Sequence, residues 1–358
     1  MCTKKQQNSA IYFVDFNLPE KASLFDYFSS IELIPLETSD DVLVASIAKI
    51  IQYQDKYYTF DVWQSIIFVF DSHGQFLYKI NKKGQGPGEY SFIEDFIINP
   101  FSGNLELLQA YGSVNIYDLM GTYIETKRIE YDDFRVAHGL ASIDSNIYVF
   151  HSSFAPKKII YFDLNNKELL HEDFEDSYRS GSFSNNSFNF YNDNWFFFRP
   201  FHTGVYKLEK NGLEEVFRFD FGKYPREGTH ADYSEESRNN REKIIEETFA
   251  QFPYYIKKLV HNNRYVLAQI SFKDYNDRSN IIYDRILQKG KFVRDFTEKV
   301  EFYPQIITDD FVLSWCNWGE LDKYINKEML DDTQKRIFEE LIQSKDETNP
   351  ILIKYQFK

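Results

Sequence analysis

Cysteine is almost absent from this chain of 358 residues: only Cys2 and Cys316 occur. Two cysteines exclude a disulfide framework and any cysteine-rich zinc site. Glycine (15) and proline (10) are too few for a disordered or collagen-like chain, and methionine occurs only 3 times. No run approaches the ~20 apolar residues of a membrane-spanning helix. Positive charge is in deficit as well, with 41 Lys and Arg against 55 Asp and Glu and a formal net charge of −14. Nucleic acid and anionic membrane surfaces require a basic footprint, so neither is expected as a partner. The doublets Lys4-Lys5, Lys82-Lys83 and Lys157-Lys158 are isolated and read as solvated surface. Catalytic signatures are missing too. There is no Gly-x-Ser-x-Gly elbow, no His-Glu-x-x-His and no phosphate-binding glycine loop.

What the chain does have is aromatic residues, 18% of the total with 35 Phe and 26 Tyr, which suit pleated sheet surfaces. A β-rich run ending in an acidic or turn residue and then Gly or Asn recurs along the chain. It reads Ile66-Ile67-Phe68-Val69-Phe70-Asp71-Ser72-His73-Gly74, then Val114 to Gly121, Ile159 to Asn166 and Val205 to Gly212. The markers Asp71, Asp118, Asp163 and Glu209 stand 47, 45 and 46 residues apart. Each is a strand running into a tight turn, where the carboxylate bonds its own backbone and Gly supplies positive φ. Another strand precedes each unit at a matching offset, as in Lys56-Tyr57-Tyr58-Thr59-Phe60 and Asn194-Trp195-Phe196-Phe197-Phe198. A period in the forties with four short strands per unit is the pattern of propeller blades.

The fifth marker, Asp284, comes 75 residues after Glu209. A helical insertion at about 232–252 accounts for the excess: Ser234 can cap it, and Ile244, Ile245, Thr248 and Phe249 form an apolar stripe. The sixth unit ends in Ile351 to Phe357 and carries a second insertion at about 320–344. The predicted fold is therefore all-β: a six-bladed β-propeller with four-stranded antiparallel blades and two helical insertions. Residues 1–29 form an N-terminal tether and lead-in, and residues 30–358 form the propeller. The run Ile31 to Glu37 is expected to pair with the C-terminal strand, so that both ends of the chain share the last blade and no edge stays open. Pro35 would then sit at the sheet edge or a bulge.

Cys2 stands directly behind the initiator and ahead of the polar run Thr3-Lys4-Lys5-Gln6-Gln7-Asn8-Ser9. Such a start fits a bacterial lipoprotein whose signal peptide has been removed. An ordinary N-terminus with a chance cysteine is the plainer alternative. The stretch Glu32-Leu33-Ile34-Pro35-Leu36-Glu37-Thr38, the following Ile47-Ala48-Lys49-Ile50 and the motif Gly84-Gln85-Gly86-Pro87-Gly88-Glu89-Tyr90 resemble the NHL-like six-bladed propeller lipoproteins of Bacteroides and its relatives, largely of unknown function. The resemblance spans about Ser30 to Phe357. It implies six blades, a lipid on Cys2 and a cell-envelope location anchored to the outer membrane. It implies no reaction. Lys4 and Lys5 occupy a place that is acidic in many surface-exported relatives, so the side of the membrane is not assigned.

The Gly84 to Tyr90 loop lies between the last strand of one unit and the first of the next. It reads as a sharp crossover, with Glu89 and Tyr90 pinning it. Seven histidines are present, and His138, His151, His202, His230 and His261 are dispersed. A propeller gathers distant residues around its axis, so dispersion does not exclude a site. His138 precedes an innermost strand. Glu94 and Asp95 hold the analogous place one blade earlier, and Asn185 and Asn186 one blade later. Glu94, Asp95, His138 and Asn186 are therefore expected at the mouth of the central channel, as ligand contacts or as polar strand ends facing trapped water. Arg199 and His202 join them as ligand-binding candidates. Trp63, Tyr111, Trp315 and Trp318 fall at turns and strand ends, as a sugar or peptide face or as packing against an insertion. Cys316 reads as a small core residue.

Two functions are compatible with this pattern. The first is a monomeric envelope lipoprotein that binds a glycan or a protein, touches the membrane only through Cys2 and needs no cofactor. The second is a propeller lyase, hydrolase or lactonase with a His/Asp/Glu cluster at the channel, with or without a divalent metal. Fold alone does not separate them.

Overall fold

A computed structural model describes residues 9–109, 112–129, 137–152, 157–175, 187–226, 241–344 and 348–358. Two N-terminal strands, β1 (Ala10–Phe13) and β2 (Phe28–Pro35), precede the first complete sheet. Blade 1 comprises β3 (Lys49–Tyr53), β4 (Lys56–Asp61), β5 (Ile66–Asp71) and β6 (Phe76–Ile80). Blade 2 comprises β7 (Ile93–Ile98), β8 (Leu105–Gln109), β9 (Ser113–Tyr117) and β10 (Tyr123–Arg128). Blade 3 comprises β11 (Gly139–Ser142), β12 (Ile147–His151), β13 (Lys157–Asp163) and β14 (Glu168–Glu175). Blade 4 comprises β15 (Phe188–Tyr191), β16 (Asn194–Phe198), β17 (Gly204–Glu209) and β18 (Gly212–Asp220). Blade 5 comprises β19 (Tyr254–His261), β20 (Tyr265–Phe272), β21 (Ser279–Asp284) and β22 (Lys289–Val293). Blade 6 comprises β23 (Ile306–Ile307), β24 (Phe311–Cys316) and β25 (Ile351–Phe357), completed by β2.

The recurring acidic marker does the same work in four of the blades. Asp71 Oδ1 accepts the N–H of His73 and of Gln75 at 2.8 and 2.9 Å, and Gly74 has φ +83°. Asp118 takes Met120 and Thr122, Asp163 takes Asn165 and Asn166, and Asp284 takes Ile286 and Leu287. Each carboxylate closes the hairpin between the third and fourth strands, which sets the period of the sequence.

Blades radiate from an axis, so both faces of each sheet are covered by neighbours and the gap between sheets widens outwards. The second strands of the blades are consequently buried with little alternation, as in all eight residues of β20. Bulky rings fill the wedges: Phe16 alone packs on Phe221, Tyr254, Phe272 and Phe292. This corrects the reading of Lys158 as solvated surface. Lys158 is fully buried within β13, whereas Lys82, Lys83 and Lys157 are exposed. Period-2 exposure fails in a strand covered on both faces.

Both ends of the chain close the ring. β2 pairs antiparallel with β25 over Phe28↔Phe357 to Pro35↔Ile351, and it is the edge strand of that sheet. Pro35 therefore sits where a missing N–H is tolerated. Upstream, β1 adds in parallel to β18 as a fifth strand of blade 4. The connection then crosses the outer edge of blade 5, where Glu20 N–H donates to Phe292 O at 2.8 Å and Ala22 bridges to Phe296.

In an antiparallel blade, the connections from second to third strand and the crossovers to the next blade emerge on one face. Helix α1 (Arg241–Gln251) lies in the crossover from blade 4 to blade 5. Helices α2 (Leu321–Tyr324) and α3 (Asp332–Gln343) lie between β24 and β25. All three thus decorate the same face, within or close to the spans predicted for the insertions. Ser234 falls outside the described residues. Asp331 caps α3 by accepting from Thr333 and Gln334, and Ile337, Phe338 and Leu341 pack it onto the blade 6 core.

Candidate functional site

The innermost strands β3, β7, β11, β15, β19 and β23 pack side by side in that order, and β23 and β3 line a common axial cavity. Asp95 is one of the links between them. Its Oδ1 meets Lys49 Nζ of blade 1 at 2.7 Å, and its Oδ2 accepts Leu140 N–H of blade 3 at 2.9 Å. One carboxylate thereby ties three consecutive blades together. Burial pushes its pKa up, and Lys49 with the two N–H donors Leu140 and Phe96 opposes that rise.

Glu94 and His138 form a second link, Oε2 to Nδ1 at 3.1 Å, with side chains 14% and 15% exposed. Of the residues expected at the channel mouth, the structure brings Glu94 to His138 and Asp95 to Lys49. Asn186 and its neighbour Asn185 lie outside the described residues, as do His230, Tyr111 and Cys2. Among the described residues, no group of three or more His, Cys, Asp or Glu side chains is placed to hold a metal ion.

Arg199 is buried, and its Nη1 lies 3.2 Å from His151 Nε2, joining blades 4 and 3. His202 is also buried, with its ring on Phe174 at 5.1 Å. Both occupy the turn between β16 and β17, below the surface. Glu106, which was not singled out in the sequence, is a comparable link. Its Oε1 accepts from Asn99 Nδ2 and Tyr148 OH, both at 2.9 Å, and burial pushes its carboxyl up to about 7.

The glycine loop is structural. Gly86 N–H donates to Glu89 Oε2 at 2.8 Å, and the buried Tyr90 hydroxyl bonds Ile80 O at 3.1 Å. A Cβ on Gly84 would stand 1.9 Å from Glu89 Oε2, and Gly88, at φ +73°, lies against the Tyr123 ring. Cys316 is buried in the blade 6 core, and burial raises its thiol pKa to about 12. Trp318 donates to Leu341 O at 2.6 Å, against the insertion, while Trp315 packs towards blade 1. Trp63 is 79% exposed.

Two of the concave features bear on function. The axial cavity, of about 140 Å³, is lined by Lys49, Phe190, Trp195, Lys258 and Ile307 among others. A groove of about 1140 Å³ runs beside blade 5, between the N-terminal strap at Glu20 and Lys21, the loop at Asn276 to Arg278 and the crossover at Arg294 to Glu301. Neither Lys258 nor this groove carries a sequence signal, because the groove is built from segments some 270 residues apart.

Six four-stranded blades about a narrow axial cavity define a β-propeller. Within that class the chain belongs to the DUF4934 family, a domain of unknown function whose model matches residues 13–356. It is similar to a Bacteroides fragilis protein described as a candidate for export, with 17% identity, a TM-score of 0.74, and 98% of this chain and 100% of that one covered. It is also similar to a DUF4221 family member from Bacteroides vulgatus, at 12% identity and a TM-score of 0.55, covering 92% of this chain and 97% of that one. At these identities the likeness speaks for the fold. No curated protein sequence matches the chain.

Proposed function

We propose that this protein is an exported, envelope-located binding module that takes a glycan or a polar segment of a partner protein in the groove beside blade 5. The groove itself carries the reading. Its wall combines four acidic side chains (Glu20, Asp277, Asp295, Glu301) with four basic ones (Lys21, Arg278, Arg294, Lys299). Such a surface suits a ligand rich in hydroxyls or in both charges rather than an apolar one. Arg278 is already oriented by Glu301. Catalysis at the axis has less support, since Asp95, Glu94 and Arg199 are each bonded to a neighbouring side chain.

Thermal-shift screening against oligosaccharide and peptide panels tests the reading, because a ligand selective for the folded state raises the melting midpoint. The expected result is a selective shift that disappears in the Arg278→Ala/Arg294→Ala double variant. Flat curves across both panels would count against it. Export is supported by the description of the Bacteroides fragilis relative, and Cys2 is the proposed lipid attachment site. Cys2→Ala is expected to move the protein from the membrane to the soluble fraction of expressing cells. An unchanged distribution would remove the anchor from the proposal.

A further inference from the structure

The axial cavity holds a feature that neither the fold nor the groove explains. Lys257 and Lys258 are adjacent on β19, at a bulge in its register with β20. Lys257 turns outwards and donates to Asp277 O at 2.8 Å. Lys258 turns into the cavity and is only 6% exposed. Among the described residues its ammonium makes no hydrogen bond and no ion pair. Its charged neighbours are Lys49 on β3 and Asp95 on β7, and Asp95 is already committed to Lys49 at 2.7 Å. The cavity therefore carries one net positive charge.

An unpaired ammonium in this position costs the fold stability, and a full hydrophobic replacement would not. Among the described residues, the cavity wall also keeps further buried N–H donors without a partner, including the indole Nε1 of Trp195 and the amide Nε2 of Gln305. Phe190, Val260 and Ile307 give the wall an apolar part, beside the polar side chains of Gln52, Asn189, His261 and Gln305. At about 140 Å³ the space is close to the ~150 Å³ cavity known to hold a benzene ring.

We propose that the axial cavity is a binding site for a small monocarboxylate with an apolar body, its carboxylate on the Lys258 ammonium and its hydrocarbon part against Phe190, Val260 and Ile307. The charge balance requires a monoanion, and the volume limits the body to a short aliphatic chain or one ring. This site is separate from the groove beside blade 5, and its ligand class is different, so either can stand without the other. Burial first, and Lys49 second, lower the Lys258 pKa to about 8 against the opposing pull of Asp95. A carboxylate arriving at the ammonium would relieve both penalties.

The test is calorimetric titration and thermal melting at neutral pH with acetate, butyrate and benzoate, each beside its neutral amide. Butyrate and benzoate are expected to bind and raise the melting midpoint more than acetate does, with no effect from the amides. Lys258→Met is expected to fold with a midpoint at or above that of the parent, and to lose about tenfold or more in affinity. Phe190→Ala, at the open end of the cavity, should weaken benzoate more than acetate. Three results would overturn the assignment: no binding of any acid, equal binding of the amides, or undiminished binding by a folded Lys258→Met. A leucine-terminated hexapeptide, as free acid and as amide, separates the source of the carboxylate. Binding of the peptide acid alone would also overturn the assignment to a small free acid.

Discussion

Among the described residues, neither ring nitrogen of His261 has a hydrogen-bond partner, and the ring sits edge-on to Phe196, Phe217 and Tyr191 at 4.4, 5.4 and 5.7 Å. It behaves as a core aromatic that happens to titrate. Burial first, and then Arg285, lower its pKa from 6.5 to about 3. The folded protein thus keeps it neutral, while the unfolded chain protonates it below about pH 6.5. Its contribution to stability is complete above that pH and is lost progressively as pH falls towards about 3. At about pH 4.5 the loss is about 2–3 kcal/mol, or about 3–4 °C in melting midpoint for a chain of this length. His261→Phe should keep a midpoint close to the parent's at neutral pH and should lose this part of the acid sensitivity. Parallel midpoint-against-pH curves for the two proteins would refute the assignment. Little of this was legible beforehand. His261 looked like any of several dispersed histidines, because its three ring partners come from three other strands.

At the level of the element, legibility depended on how local the cause was. The hairpin markers Asp71, Asp118, Asp163 and Asp284 act on residues two to four positions on, so their spacing in the chain is the spacing of the blades. The insertion at α3 was readable from the extra length of the sixth unit, and the structure adds its cap, Asp331. The opposite holds for β1. Its four residues, Ala10–Phe13, carry no pattern distinguishable from a tether, and only their parallel pairing with β18 makes them a strand. There Tyr12 stacks on Phe217 and Tyr283 at 5.0 and 4.1 Å. The axis fell between these cases. Counting along the repeat placed Glu94, Asp95 and His138 near one another, and the structure does bring Glu94 to His138. The same count could not supply Lys49 for Asp95 or His151 for Arg199, because which strand faces which across the ring is a property of closure. Lys258 was hidden for a further reason. A lysine doublet reads as surface unless the strand carrying it is known to be covered on both faces.

For the molecule as a whole, closure decides whether six sheets behave as one body. Each blade contacts its neighbours, so stability is shared around the ring only while the ring is shut. The shutting element is β25, which pairs with β24 on one side and with β2 on the other. β25 therefore holds N-terminal and C-terminal segments in one sheet across more than 300 residues. Its side chains Ile351, Leu352, Ile353 and Tyr355 are fully buried. Deleting residues 351–358 removes these contacts and also leaves β24 and β2 with unpaired edges facing each other across a gap. The expected consequence is loss of the cooperative thermal transition, with aggregation, rather than a modest drop in midpoint. Deleting residues 9–13, by contrast, takes away a strand at an outer edge and leaves all six blades closed, so that variant should still melt in one transition at a lower temperature. Adding a synthetic peptide of residues 351–358 to the C-terminally truncated chain should restore a cooperative melt, because the missing strand carries its own two ladders. Differential scanning calorimetry distinguishes the cases. A truncated chain that melts cooperatively near the parent midpoint without the peptide would mean that the ring is held by pairwise blade packing alone, and that the shared sixth blade is not what closes it.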